Sequence, residues 1–400
     1  MKWLKYNRLI IIILGLLLGN ASTTKATIMD PAAMGNRSLG MGAAMVGLAD
    51  DTMSALYYNP AGIVQLKKPT IAMGSILPIN HIRYKGKGPY QGYSRVNSSL
   101  SLIPFFGYTH PINDRLSWGL GMYSTLGIGF KYRKDHDHGI THDFQNNSGV
   151  MALNPTFAYQ IHPKLALGGQ INIGFGKSQI DIPTPAGYLK NNSEGFGYGG
   201  TLGILYKPFD SVGIGIRWKS SMLTPLEGDV DLFTPDGKKL DDSVDLDLYW
   251  PQMVDAGISY KPTSKLTLVA KIKWSDWSYF GRSKFTYNKL KHLDGPLIPD
   301  IRDGIRWGVG MEYLLTPEVT LYSGYFHDYW SIESSSLSPL APGLTLRELR
   351  VGTALNLGNW TAGMAYSYTF FPDRHSSEAF PGKYEGFMPV MSIEMTYNFQ

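Results

Sequence analysis

Cysteine is absent from this chain of 400 residues. Its absence excludes a disulfide framework, a thiolate metal site and a cysteine nucleophile. Charged residues are also scarce, at 17% of the chain, although hydrophobic residues make up 43%. After Leu18 there is no long apolar run. That excludes a bundle of membrane-spanning helices, because each such helix needs about 20 consecutive apolar residues.

The N-terminus carries the pattern of a secretory signal. A basic start, MKWLKYNR, precedes the apolar stretch Leu9–Leu18, which is too short to span a bilayer. Small residues flank Lys25 in Thr24-Lys25-Ala26, so we predict a signal peptide over residues 1–26. Cleavage after Ala21 and an uncleaved anchor are the alternatives.

The mature chain is nearly neutral. The formal net charge is +5, and the signal residues Lys2, Lys5, Arg8 and Lys25 supply four of these charges, which leaves about +1 for the rest. This balance argues against nucleic acid as a partner.

From about residue 70, apolar residues alternate with small or polar ones. In residues 305–313, one face has Ile305, Trp307 and Val309, whereas Arg306 and Gly308 lie on the other. A period of two is typical of a β-strand with one apolar face. Similar stretches recur to the C-terminus, which ends Tyr397-Asn398-Phe399-Gln400.

The connections between these stretches alternate between short and long. Short turns such as His162-Pro163-Lys164 alternate with polar stretches near 85–96, 131–148, 178–194, 220–243, 281–302, 331–344 and 373–386. Short periplasmic turns and long outer loops are typical of bacterial outer-membrane barrels. The count predicts an all-β fold, a fourteen-stranded antiparallel transmembrane barrel over residues 70–400 in a Gram-negative outer membrane.

Tryptophan positions support a membrane location. Two interfacial belts are predicted. The outer belt consists of Trp218, Trp250, Trp274, Trp277, Trp307 and Trp330, and the inner belt consists of Trp118 and Trp360. The alternative is that these residues pack in a core.

Residues 27–69 do not alternate and are rich in Ala, Gly and Met. Because a wide barrel leaves a lumen to fill, we predict that this segment is a hatch inside it. The stretch Met41–Ile63, with Ala49-Asp50-Asp51 and Asn59-Pro60-Ala61-Gly62, resembles the hatch of the FadL family of outer-membrane transporters. Trp250–Phe280 and Arg306–Asp328 also resemble that family.

The resemblance implies transport of hydrophobic compounds, most simply long-chain fatty acids, by passive diffusion. The ligand would enter a lumen pocket, the hatch residues Asn59, Pro60, Ala61 and Gly62 would shift, and the ligand would leave sideways through the wall. The alternatives are transport of aromatic hydrocarbons by the same route and a general diffusion porin. The expected partners are hydrophobic small molecules and outer-membrane lipids, and we expect a monomer without a cofactor.

The third strand contains four glycines, Gly119, Gly121, Gly127 and Gly129. Glycine in a strand marks a bend or a close approach of another segment. The resemblance implies a kink here that opens the wall, and tight packing against the hatch is the alternative.

Charged residues alternate with apolar ones and therefore face the predicted lumen. Because cationic side chains suit a carboxylate, the predicted ligand-binding residues are Arg306, Arg350, Arg217 and Lys271. The alternative is that they pair with lumen acids such as Glu312 or Glu348 and only hold the hatch to the wall.

Three other sites are weaker alternatives. His136, His138 and His142 lie among aspartates and could hold a metal, but solvation of an outer loop explains them as well. Gly40–Met45 lacks the strand and the third glycine of a dinucleotide loop. No local pattern places serine beside histidine, so we expect no enzyme.

Overall fold

The computed structural model describes residues 33–87, 92–95, 101–132, 144–184, 186–298, 301–329, 332, 334–338, 343, 345–376, 378 and 380–400. The predicted signal peptide, the start of the predicted hatch and the histidines at 136–142 lie outside these ranges. The signal boundary therefore stays a prediction, and metal binding by the histidines stays the weaker alternative. In the described ranges, no helix is both long and apolar enough to cross a membrane.

Fourteen antiparallel strands of the described residues form a closed wall, as predicted. They are β1 (Thr70–Pro78), β2 (Ile103–Pro111), β3 (Leu116–Tyr132), β4 (Phe144–His162), β5 (Leu165–Thr184), β6 (Gly187–Phe209), β7 (Val212–Lys219), β8 (Met253–Tyr260), β9 (Leu266–Ser275), β10 (Gly304–Leu314), β11 (Val319–Tyr329), β12 (Leu346–Leu357), β13 (Trp360–Phe370) and β14 (Gly382–Asn398).

The barrel closes where its first and last strands meet. β1 pairs with β14 from Thr70↔Asn398 to Pro78↔Val390, and its other edge pairs with β2. Closure removes the free sheet edges that hydrocarbon would leave without hydrogen bonds. Both chain ends of the barrel therefore lie at the end with the short turns, the periplasmic end.

Alternation along each strand separates a lipid face from a lumen face. On β10, Ile305, Trp307 and Val309 are exposed, whereas Arg306 is 4% exposed and points into the lumen. Large apolar side chains exposed on the barrel surface are those that hydrocarbon solvates in the membrane.

Several strands continue beyond the membrane, and the loops predicted at 178–194 and 220–243 were wrong. β5 and β6 pair up to Thr184↔Gly187. Met222–Phe233 and Lys239–Trp250 form an antiparallel pair, here called the outer hairpin, which also pairs with β6. Outside the membrane both faces of a ladder tolerate polar residues, so composition alone does not separate such strands from loops.

Shorter strands complete the outer end at His81–Gly86, Gly92–Arg95, Lys284–Tyr287, Gly295–Pro296 and Arg374–Ser376. Short 3-10 helices lie at Trp277–Arg282, Lys291–Leu293 and Ser334–Ser336.

The belt prediction needs correcting for two tryptophans. Trp218, Trp274, Trp307 and Trp360 are exposed on the barrel surface, as an interfacial belt requires, and Trp330 lies outside the described residues. Trp250 and Trp277 are instead buried at 3% and 6% exposure and pack against Phe280. They belong to the apolar interior at the outer end of the lumen.

The segment before β1 folds into three short helices. They are α1 (Asn36–Gly40), α2 (Thr52–Tyr58) and a 3-10 helix, Pro60–Gln65. Asp51 caps α2 by accepting a hydrogen bond from the Ser54 N–H at 2.8 Å. Most side chains of this segment are buried, because it occupies the periplasmic half of the lumen. We keep the name hatch for it.

Candidate functional site in the barrel lumen

Asn59 fastens the hatch to the barrel wall. Its amide nitrogen donates to the carbonyl of Val46, at 3.0 Å, and to that of Ile204 on β6, at 2.9 Å. Its amide oxygen accepts from the Ala61 N–H and caps the 3-10 helix that Pro60 begins. The Asn59-Pro60-Ala61-Gly62 turn therefore joins two parts of the hatch to one wall strand.

Glycines on the lumen face let hatch backbone lie directly against wall backbone. A Cβ added at Gly308 would lie 2.0 Å from the Gly42 carbonyl oxygen, and one at Gly215 would lie 1.9 Å from that of Val46. Gly42 has φ +64, so it too needs glycine. These contacts leave no room for a side chain.

A partly buried ion cluster adds to this attachment. Arg37 of α1 contacts Asp50 at 2.6 Å, Asp51 at 3.0 Å and Glu312 of β10 at 2.6 Å. Lys261 reaches the second Asp50 oxygen at 3.2 Å. Burial alone would raise the pKa of Asp50, but Arg37 and Lys261 outweigh burial and hold that pKa below its ordinary value.

Above the hatch, charged side chains form a row across neighbouring strands. Ladder pairing aligns Arg217, Asp255, Lys273, Arg306 and Asp328 on β7 to β11. Each is at most 5% exposed. We call this set, with Lys271, Glu348 and Arg350, the charged layer.

The four predicted ligand residues all lie in this layer, and each has an acidic neighbour. Arg217 and Lys271 lie 2.5 Å and 3.6 Å from Asp255. Arg306 pairs with Asp328 at 2.7 Å, and Arg350 pairs with Glu348 at 2.6 Å. The predicted partner Glu312 serves the hatch residue Arg37 instead.

The Arg350 pair is incompletely satisfied. Its Nε and Nη2 both donate to one Glu348 oxygen, which also accepts from Ser367. Within the described ranges, Arg350 Nη1 and the second oxygen, Glu348 Oε1, are buried without a hydrogen-bond partner. The guanidinium lies 4.2 Å from the ring centre of Phe326, at the boundary between charged and apolar lumen.

Beyond the charged layer, apolar side chains fill the outer lumen. One cluster of buried residues runs from the hatch to this end of the barrel, and its outer members include Phe105, Leu126, Met222, Trp250, Phe280, Phe326, Leu346 and Met388. The lumen thus has an apolar outer compartment with charges at its floor.

The floor touches the C-terminal end of α2. Arg217 Nη1 donates to the Tyr57 carbonyl, and Lys271 lies 5.1 Å from the ring centre of Tyr58. Cations at this end of a helix interact favourably with its dipole. The Tyr57 ring in turn packs edge-on against Tyr123 of β3, with centroids 5.2 Å apart.

In the part of the chain that the structure describes, β3 is paired on both sides only over its periplasmic half. Its ladder with β2 ends at Phe105↔Tyr123, whereas its ladder with β4 continues to Tyr132↔Phe144. Between Ser124 and Leu126 the register shifts by one residue, which makes Thr125 a bulge. In the described ranges, residues 124–132 have no ladder partner on the β2 side, and we call this place the wall gap.

The predicted glycines divide at this point. Gly127 and Gly129 lie along the wall gap, where Asn80 donates to the Gly129 carbonyl at 3.3 Å. Gly119 and Gly121 lie in the doubly paired half, and a Cβ at Gly119 would come within 2.9 Å of Leu56 of the hatch. Close packing against the hatch thus applies to Gly119, and the kink implied for this strand stays a prediction for Gly127 and Gly129.

A narrow polar cavity lies between the floor and the wall gap. Its lining includes Tyr57, Tyr123, Thr125, Gln170 and Arg217. Sequence reasoning missed Tyr57, Tyr123 and Thr125, because a bulge and a hatch contact leave no periodic signal. The run Met122-Tyr123-Ser124-Thr125-Leu126, which interrupts strict alternation, was the available sign.

Comparison with known proteins identifies this architecture. Residues 20–399 match the model of the outer membrane protein transport protein family (OMPP1/FadL/TodX). The chain belongs to this family. The family places it in the outer membrane and among transport proteins, which confirms the predicted resemblance and location.

Individual members of the family are distant in sequence and similar in fold. The outer membrane protein NMB0088 of Neisseria meningitidis is 21% identical, over 87% of this chain and 89% of that protein. A FadL homologue of Pseudomonas aeruginosa is 18% identical, over 94% and 100% of the two chains, with TM-score 0.81. The toluene transporter TodX of P. putida is 16% identical, over 93% and 100%, with TM-score 0.74.

Proposed function

We propose that this protein passes long-chain fatty acids across the outer membrane by diffusion. The ligand enters the apolar outer lumen, places its carboxylate on the charged layer and leaves through the wall gap. The observation that carries this proposal is the buried Nη1 of Arg350, which has no partner in the described ranges. A carboxylate there would supply the missing acceptor.

The compartment above Arg350 matches the rest of such a ligand. Phe326 lies against the guanidinium and belongs to the apolar cluster that continues outward through Leu346 and Met388. Burying an alkyl chain there is favourable by about 0.8 kcal/mol for each methylene group. An amphiphile would therefore lie with its chain outward and its head at the floor.

The floor also links ligand binding to the wall gap through hatch residues. Arg217 holds the Tyr57 carbonyl, Tyr57 packs on Tyr123, and Tyr123 ends the doubly paired part of β3. A ligand that draws Arg217 away from Tyr57 would loosen this contact beside Thr125. Lateral exit needs no passage through the periplasmic half, where the hatch fills the lumen.

Aromatic hydrocarbons are the second candidate substrate. The solved toluene transporters TodX and TbuX share the fold, and an apolar outer lumen accepts an uncharged ring as well as a chain. A hydrocarbon would not use Arg350. A general diffusion porin is less compatible, since backbone contacts pack the hatch against the wall.

Uptake of labelled oleate tests the proposal directly. Cells that lack their own outer-membrane fatty acid transporter would express this protein, with surface assembly checked by heat-dependent migration of the folded barrel. Restored uptake supports the proposal. No uptake from an assembled barrel contradicts fatty acid transport, and labelled toluene is then the next substrate.

The Arg350→Lys variant tests the head-group contact. Lysine keeps the charge beside Glu348 and loses the planar fork that binds a carboxylate through two bonds. We expect oleate affinity to fall about tenfold, with toluene binding unchanged. Arg115→Lys, on an exposed turn, is the control, and an equal loss for both ligands would reject the assignment.

A further inference from the structure

An open concavity lies at the periplasmic end of the lumen, on the far side of the hatch from the charged layer. Its volume is about 380 Å³, and it lies between the 3-10 helix of the hatch and the inner ends of β4 to β6. Its lining includes three lysines and three apolar residues, namely Lys67, Lys164, Lys207, Val64, Ala166 and Leu205. The fatty acid route proposed above does not use it.

Three lysines give this concavity its charge. The Lys207 N–H donates to the Lys164 carbonyl at 2.8 Å, so these two residues are neighbours across the β5–β6 end. Lys67 donates to the Val64 carbonyl at 3.0 Å. Among the described residues, none of the three forms an ion pair with a carboxylate.

The lone acid of the lining is already engaged. One oxygen of Asp50 lies 2.6 Å from Arg37, and the other lies 3.2 Å from Lys261. Asp50 still attracts Lys207 through space, as Asp210 does, but it is shared with Arg37 and Lys261. A concave surface with three cations and one shared acid in its lining favours an anionic group.

Apolar side chains lie beside the lysines. Val64 of the hatch and Ala166 and Leu205 of the wall are each at most 3% exposed and line the same concavity. Their few exposed atoms lie beside the lysines, so a head group attached to a short apolar segment would meet apolar as well as cationic atoms.

We propose that this concavity binds the anionic head of an amphiphile, a carboxylate or a phosphate monoester or diester. The oxygens lie on Lys67, Lys164 and Lys207, and the first methylene groups lie on Val64, Ala166 and Leu205. The site does not depend on the proposed transport route, so failure of oleate uptake would leave it standing.

The site would also act on the hatch. Gln65, at the end of the 3-10 helix, donates to the carbonyls of Leu48 and Ala49 at 2.9 Å and 2.8 Å. These carbonyls precede Asp50, so a head group bound beside Gln65 and Lys67 stabilises the hatch in its seated position. Occupancy from the periplasmic side is thus a means of holding the hatch closed.

A fluorescent reporter tests binding at this end alone. The chain has no cysteine, so an Asp114→Cys variant carries a single label. Asp114 is exposed on the β2–β3 turn, and its backbone carbonyl lies 3.5 Å from Lys67 Nζ. The labelled full-length protein, in a non-ionic detergent, would be titrated with laurate and with monododecyl phosphate.

Two variants in the labelled background separate the site from general surface charge. Lys164→Gln/Lys207→Gln removes two cations of the lining, and we expect the affinity for both probes to fall about tenfold or more. Lys265→Gln removes an exposed cation from a periplasmic turn outside the lining, and we expect no change. No saturable signal, or equal losses in both variants, would overturn the proposal.

Nanodiscs distinguish the source of the head group. A reporter shift on moving the protein from phosphatidylcholine to phosphatidylglycerol discs, reversed by Lys164→Gln/Lys207→Gln, would identify a membrane lipid as the occupant. A shift that requires added laurate in either lipid would identify a free fatty acid. Either result supports the site, and the absence of both overturns it.

Discussion

The two halves of the lumen are built from different kinds of contact. In the periplasmic half, hatch backbone lies against wall backbone at glycines such as Gly215 and Gly308, and ion pairs between side chains join hatch and wall elsewhere. In the outer half, apolar side chains meet one another, and among the described residues β3 has a ladder on one side only over residues 124–132. Backbone atoms in contact cannot adjust by a change of rotamer, whereas side chains can. The contrast is therefore between a periplasmic half held by fixed backbone contacts and an outer half whose side chains can rearrange, as the proposed route requires.

The largest effect on stability is expected where backbone meets backbone. Gly308→Val would place a Cβ 2.0 Å from the Gly42 carbonyl oxygen, which hatch and wall cannot both accommodate. We expect a loss of about 3 kcal/mol, measured as the lowered midpoint of thermal unfolding, together with increased ion conductance. Gly200→Val, where the nearest atom is 3.8 Å away, is the matched control, and equal behaviour of the two would show that the hatch is not held this way.

A smaller loss is expected from the side-chain attachment. Asn59→Ala leaves the buried carbonyls of Val46 and Ile204 without the donor that now satisfies them, which costs about 2 kcal/mol. Thermal unfolding and protease cleavage after Lys67 would report it. Asn113→Ala, on an exposed turn, should leave hatch cleavage unchanged, and an intact hatch in Asn59→Ala would contradict the assignment.

Acid should weaken the same half by a smaller amount. The folded-state pKa of Asp50 lies below its ordinary value of 3.8, so its contribution is complete above that value and is lost as pH falls through the lowered pKa. The expected loss is on the order of 1 kcal/mol. The midpoint of unfolding measured from pH 7 to pH 3 should fall less in Asp50→Asn than in the parent protein, and identical slopes would count against the cluster.

The outer half should show the smallest change in stability and a large change in transport. Deleting Thr125 removes the extra residue between Ser124 and Leu126 and makes the β3–β4 ladder continuous. We expect an unchanged unfolding midpoint and a drop of about tenfold in the oleate uptake rate, a barrier increase of about 1.4 kcal/mol. Deleting Asp236 in the exposed outer hairpin turn is the control, and normal uptake without Thr125 would place the exit elsewhere.

Alternation predicted the wall because it is a local property of each strand. The inward positions of Arg217, Lys271, Arg306 and Arg350 follow from a period of two. Their partners do not, because register decides them. Arg306 meets Asp328 on the next strand, and nothing within either strand encodes that offset.

Other features depend on contacts between distant parts of the chain. Arg37 reaches Glu312, 275 positions away, and no short motif predicts such a pair. The residue type alone predicts an interfacial position for Trp250 and Trp277, but the fold of the outer segments buries both. The resemblance identifies Asn59-Pro60-Ala61-Gly62 as part of the hatch. It does not predict the hydrogen bond from Asn59 to β6, because that bond depends on the register of a remote strand.

The outer hairpin has a consequence for handling this protein on living cells. Leu189, Val230, Leu232, Val244, Tyr287 and Leu290 form a second apolar cluster, separate from the one in the lumen. At the hairpin's turn Gly237 has no atom within 4 Å of an added Cβ. A peptide epitope grafted at that turn would be supported by this second cluster and not by the residues of the lumen. Antibodies against that epitope could then be used to quantify the assembled barrels on each cell, and to sort cells by that number, without contacting the lumen.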